Sequence, residues 1–238
     1  MSMNDTIGVR RPKHQFESHP HGGETTLYLV RHGRTSGNVL KQLIGSTDLP
    51  LDDIGYRQAE RIADRLAIGT RADVIVSSPL IRARTTAEII GKRLGLEPVF
   101  ASGLVEMDFG DLEGMTLDVV ADRYPELAIQ AMTIDDEDLA WPNGDTRAGF
   151  HQRVLTSFLD ILQTYSNHAV IVVAHGGVLG SFLAQVEGDH PNNWQAYQLA
   201  NCGLSHIDFR AQHTAVHFKN DCGHLEALID AENERLLP

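Results

Sequence analysis

The chain has 238 residues, enough for one large α/β domain, and its hydrophobic and charged fractions of 42% and 22% are ordinary for a soluble globular protein. A formal charge of −12 argues against a duplex nucleic-acid binder, which needs Lys and Arg to neutralise phosphates, but not against a small anion held by a local arginine cluster. Two cysteines, Cys202 and Cys222, are too few for a disulfide scaffold, so a cytoplasmic, reduced setting is expected; no apolar run is long enough to span a membrane.

In chain order, residues 1–24 are polar, contain His14, His19 and His21, and lack the apolar core of a secretory signal; they read as a flexible N-terminal arm. Residues 25–238 read as one domain, with no repeat or linker to mark a second folding unit. "TLYLVR" is a buried strand, and "PLDDIGYRQAERIADRLA" follows as a helix with Ala59, Ile62, Ala63 and Leu66 on one face and Asp52 and Asp53 at its start. "DVIVSS" is a second strand. "PLIRARTTAEIIGKRLG" is a helix opened by Ser78-Pro79 and closed by Gly95. Residues 110–143 are the least regular and are expected to form a cap or lid that sets specificity. "GDTRAGFHQRVLTSFLDILQTY" is a helix with Phe150, Val154, Phe158 and Leu162 inward, and "AVIVVA" is the most apolar strand, leading into the helix "HGGVLGSFLAQV". Two alternating strands near Leu204–Phe209 and Thr214–Lys219 close the domain as an antiparallel pair. This order predicts an α/β fold: a three-layer α/β/α sandwich, its sheet mostly parallel, with helices on both faces.

In open α/β sheets ligands bind beyond the carboxyl ends of the strands. Three such ends carry unusual groups: Arg31-His32-Gly33, then Ser77-Ser78 leading to Arg82, and His175-Gly176-Gly177. If the strands are neighbours, two arginines, two histidines and a helix N-terminus converge on an anion site, to which Asn38 adds a neutral donor. Each piece alone reads equally as a solvated turn. "HGGVLG" lacks the first glycine of a dinucleotide loop, where it has His175.

"LVRHGRTSGN", "GSTDLPLDDIGYRQA", "SSPLIRARTTAEII", "LVEMDFGDLEG", "NGDTRAGFHQRV" and "VAHGGVL" together resemble the histidine phosphatase superfamily, which includes the cofactor-dependent phosphoglycerate mutases. The resemblance runs from Leu27 to about Phe209. It implies that His32 is a nucleophile that becomes a phosphohistidine and that Arg31, Arg82 and His175 clamp the phosphate, with Asn38 and Gly176 in the same pocket. Glu106 holds the motif position of the general acid, with Asp108, two residues on, as a rival. Gly33 is expected to let the phosphate approach the backbone.

The short stretch between Glu106 and Gly144 favours the phosphatase branch, acting on a small phosphorylated metabolite. A phosphoglycerate mutase is the alternative, and a non-catalytic phospholigand-binding module is a third reading. Arg34 stands where the family often has Glu or Gln; it either reads a second anionic group of the substrate or points to solvent. The acidic residues Asp135, Asp136, Glu137 and Asp138 either repel anionic substrates or keep the surface soluble. No cofactor and no metal are implied. Cys202, His206, Cys222 and His224 repeat no paired zinc-ligand spacing, and His213 and His217 would lie roughly 13 Å apart in a strand. A homodimer is the default for a soluble enzyme.

Overall fold

A computed structural model describes residues 23–134, 136, 139–210, 213–226 and 228. Nearly all of the N-terminal arm, and Asp135, Glu137 and Asp138 of the acidic run, lie outside the described residues. The chain runs β1 (Thr25–Arg31), α1 (Ser36–Val39), α2 (Asp53–Gly69), β2 (Val74–Ser77), α3 (Ile81–Leu94) and β3 (Pro98–Phe100). It continues through α4 (Leu117–Arg123), α5 (Pro125–Met132), α6 (Arg147–Thr164), β4 (Ala169–Ala174), α7 (Gly176–Val186), β5 (Leu204–Arg210) and β6 (His213–Asp221), with short 3-10 turns between.

The six strands form one sheet in the order β3-β2-β4-β1-β5-β6. β3, β2, β4 and β1 pair in parallel, and β5 and β6 add the expected antiparallel edge. Strand alternation sends Val170, Val172 and Ala174 of β4 into a core with Phe150, Phe158 and Phe182 from α6 and α7. Ile171 and Val173 point the other way, against Ile62, Leu66, Ala87 and Ile90 from α2 and α3. The sheet is thus buried on both faces, which explains why β4 is apolar throughout.

β3 is absent from the sequence reading: it has three residues, begins with Pro98 and lies at the sheet edge, where the missing proline N–H costs no ladder bond. The helix starts also hold one correction. Asp52 caps α2 by accepting from the Gly55 N–H, but Ser78-Pro79 do not cap α3. Its first N–H, of Ile81, donates to Asp48 Oδ1 at 2.7 Å, a carboxylate from a distant loop that no local pattern reveals.

Residues 110–143 are more regular than expected, because α4 and α5 fall there. They are tied to α6: Arg147 donates to the carbonyls of Ala131, Thr133 and Asp136 at 2.7–2.8 Å. Val120, Leu139 and Trp141 from this segment belong to the core on the α6 face.

Candidate active site

β1, β2 and β4 are adjacent, so their carboxyl ends deliver Arg31-His32, Ser77-Ser78 and His175 to one place. Arg82 comes from the first turn of α3. A cleft of about 610 Å³, mouth included, opens there. Arg31, His32, Asn38, Arg82, Glu106 and Gly176 all line it.

His32 is buried, and its Nδ1 lies 2.7 Å from the carbonyl oxygen of Gly33. A carbonyl only accepts, so Nδ1 carries the proton and Nε2 keeps its lone pair. Burial first, then the positive charges of Arg82 and Arg31, hold the imidazole well below its ordinary pKa of 6.5. A neutral ring with a free Nε2 is what a nucleophile requires.

His175 has the opposite tautomer. Its Nδ1 accepts from Arg82 Nε at 3.2 Å, so its Nε2 is the protonated nitrogen and donates to Ser78 Oγ at 2.7 Å. Burial and then Arg82 keep it neutral too. Both nitrogens are held by protein, and the ring stands 5.2 Å from that of His32, behind the cleft wall. Its contact is therefore with Arg82 rather than with the cleft.

Arg82 Nη1 and Nη2 donate to the carbonyls of Thr47 and Gly45. Glu113 grips the same loop from its other side, accepting from the N–H groups of Gly45, Ser46 and Thr47 and from Phe109. A cation on the carbonyls and an anion on the amides fix residues 45–47 beside the cleft. Arg31 Nη1 donates to the Leu199 carbonyl at 2.7 Å, but its buried Nε has no partner among the described residues. A buried charged donor left unpaired is costly, and an anion in the cleft would relieve it.

Glu106 lies across the cleft, accepting from Met107 N and Gly177 N at 2.9 Å each. A Cβ on Gly177 would come within 2.5 Å of its Oε1, so glycine there makes room for the carboxylate. Asp108 is spent on the loop, accepting from Gly110 N and Ser46 Oγ, and does not line the cleft. Asn38 Oδ1 is occupied by Thr35 and Asn201, which leaves its Nδ2 donor for a ligand.

Expectations change for Arg34 and Gly33 as well as for His175. Arg34 does not line the cleft; its Nε donates to Asp52 Oδ2 at 2.8 Å, at the start of α2. The carboxylate that caps the helix draws the cation away from the rim. Gly33 serves packing rather than phosphate approach: a Cβ there would sit 2.5 Å from the Gly55 carbonyl oxygen, where α2 begins.

Sequence reasoning missed Thr35, Thr86, Glu113 and Asn201, and gave Ser78 no bracing role; these residues hold the groups around the cleft in place. Glu113 sits inside a quoted motif, but beside Glu106, Asp108 and Asp111 nothing local marks it as the carboxylate that binds the amides. The walls were also missed. Gln42, Leu43, Ile44, Met107, Phe109, Trp194 and Gln198 line the cleft, and none of the described residues from 110–143 does. Two guanidiniums at the floor suit an anion and repel a metal ion.

Residues 27–222 match the model of the histidine phosphatase superfamily, branch 1. A Bacillus subtilis (strain 168) protein named "Uncharacterized phosphatase PhoE" is 35% identical over 205 residues, 86% of this chain and 99% of that protein. "Probable phosphoglycerate mutase GpmB" of Salmonella arizonae is 30% identical over 206 residues, covering 84% of this chain and 95% of its own. Among solved structures, a mutant phosphoserine phosphatase from Entamoeba histolytica in complex with phosphoserine is similar, with a TM-score of 0.74 and 27% identity. It covers 84% of this chain and 99% of its own.

Proposed function

Because the chain belongs to the histidine phosphatase superfamily, we propose that it is a metal-independent phosphomonoesterase working through a phosphohistidine on His32. The observation that carries this reading is the Nδ1 to Gly33 carbonyl bond, which leaves Nε2 as a neutral nucleophile between two arginines.

His32 Nε2 attacks phosphorus and the P–O ester bond breaks. Glu106, protonated, gives its proton to the departing oxygen, and the alcohol leaves. As a carboxylate it then takes a proton from water, whose oxygen attacks the phosphohistidine; the P–N bond breaks and inorganic phosphate is released. Arg31, Arg82 and the Asn38 amide stabilise charge on the non-bridging oxygens, the main catalytic need of phosphoryl transfer. His175, braced by Ser78, orients Arg82 and adds no charge.

The walls favour hydrolysis of an ester whose alcohol part is neutral, met by both apolar side chains and amides. Leu43, Ile44, Met107, Phe109 and Trp194 line the cleft beside Gln42 and Gln198, and Arg31 and Arg82 are the arginines among its described lining residues. A phosphoglycerate carries a carboxylate as well as its phosphate, and with Arg34 bonded to Asp52 no further arginine among the described residues lines the cleft. The GpmB likeness keeps a mutase as the second reading.

The direct test is hydrolysis of p-nitrophenyl phosphate in EDTA with acid-labile phosphoenzyme trapped in parallel. Turnover with a trapped phosphohistidine, lost in His32→Ala, is expected. No turnover by the wild type, or full turnover by His32→Ala, rejects the proposal. Interconversion of 3- and 2-phosphoglycerate faster than hydrolysis would select the mutase instead.

A further inference from the structure

A second cluster of ionisable side chains lies at the far end of β1 from His32. His206 and Asp208 are two apart on β5 and share a face, opposite Tyr28 and Thr26 of β1. On β6, Val216 pairs with Ile207 and Phe218 with His206, so His217 is the extra residue of a β-bulge. Bulges re-aim side chains, and this one turns His217 onto Asp208. His217 Nε2 lies 2.7 Å from Asp208 Oδ2, and His206 Nε2 lies 3.3 Å from Oδ1. One ligand atom from each of the three residues falls within 4.8 Å of the others.

We propose that His206, Asp208 and His217 are the protein ligands of a divalent transition-metal site, of the zinc type, that staples β5 to β6. Two imidazole nitrogens and a carboxylate oxygen are a zinc donor set, and calcium and magnesium prefer oxygen alone. Ligand atoms around a tetrahedral ion stand about 3.3 Å apart; the two imidazole nitrogens lie 3.3 and 2.7 Å from the carboxylate oxygens, and rotation of the stacked, exposed His217 ring would bring its nitrogen into position. That ring is half exposed, so an ion has an entry path and water can fill the fourth position.

The surroundings pre-set the ligands. Thr26 Oγ1 donates to Asp208 Oδ1 at 2.7 Å, the kind of outer bond that orients a ligating carboxylate. Tyr28, His206 and His217 stack successively, at 4.7 and 4.4 Å between ring centres. Asp208 is only 6% exposed, and among the described residues no Lys or Arg pairs with it. Thr26 lies six residues along β1 from His32, roughly 20 Å, so this site is separate from the phosphate chemistry.

The test is titration of the metal-stripped full chain with Co²⁺ and Zn²⁺. One Co²⁺ per chain with the visible spectrum of a four-coordinate site is expected. Zinc at about a hundred times its Kd should raise Tm by roughly 5–10 °C. His217→Ala, at a half-exposed position, and Asp208→Asn should each weaken binding at least ~10-fold and leave p-nitrophenyl phosphate turnover unchanged. His14, His19 and His21 are present in every variant and cannot imitate that difference. No binding by the wild type, or equal binding by His217→Ala, overturns the site. Loss of turnover without a metal-binding defect would instead count against its separateness.

Discussion

The two ends of β1 both gather histidines, and the charge beside them decides what they are. At the carboxyl end, His32 and His175 face Arg31 and Arg82; burial and the two cations agree, and both rings are held neutral. At the amino end, burial also lowers His206, but Asp208 opposes it and turns the imidazoles toward a shared anion. A histidine kept neutral among arginines suits a nucleophile or a brace, and a histidine over a buried carboxylate suits a donor or a ligand. The contrast shows that residue type alone assigns no role.

The largest effect tests Glu106, the carboxylate among the described residues that line the cleft. Glu106→Gln should lower kcat for an alkyl phosphate, whose leaving group needs the proton, by ~10²–10⁴-fold. Asp108→Asn should cost far less, because Asp108 bonds only the loop; equal losses would erase the distinction between them. Next, Arg82→Gln should lower kcat/KM by ~10²–10³-fold, the scale of one lost transition-state donor. It should also move the acidic limb of the pH profile upward, since removing a cation raises the pKa of His32. An unmoved limb would show that Arg82 does not tune the nucleophile.

Buried neutral histidines also set how stability depends on pH. His151 is held at about 4, by burial first and then by Arg147. An unfolded histidine takes up a proton near its ordinary value of about 6.5, so the unfolded state gains as pH falls from there toward 4. His151 contributes about 3 kcal/mol of this loss by pH 4, with His32 and His175 adding in the same direction. Denaturant melts from pH 7.5 to 4 should show the decline, and His151→Asn should flatten it. The smallest effect belongs to Arg34→Ala: less than ~3-fold on kcat/KM and ~0.5 kcal/mol of stability from the Asp52 pair. A selective loss with phosphoglycerate would return Arg34 to the substrate.

Much of the fold was legible because helices and strands are written in short-range periodicity. Ile62 and Leu66 mark α2 at helical spacing, and "AVIVVA" marks a strand buried on both faces. β3 was illegible because three residues carry no period. Of the site, His32, Arg82 and Asn38 were readable around strand ends and Glu106 from the family resemblance, and all of them line one cleft. Arg34 was misread because its partner, Asp52, is 18 positions away.

By itself the sequence determined the α/β order, the polar groups at strand ends and the family. Those depend on neighbours within a few residues, or on motifs that survive without coordinates. Only the tertiary structure decided which tautomer each histidine adopts, which residues wall the cleft, and how a bulge brings His217 to Asp208. Bonds such as Asn201 to the His32 carbonyl join residues 169 apart, and no local pattern encodes which distant donors share a pocket. That choice is made by packing the two faces of one sheet.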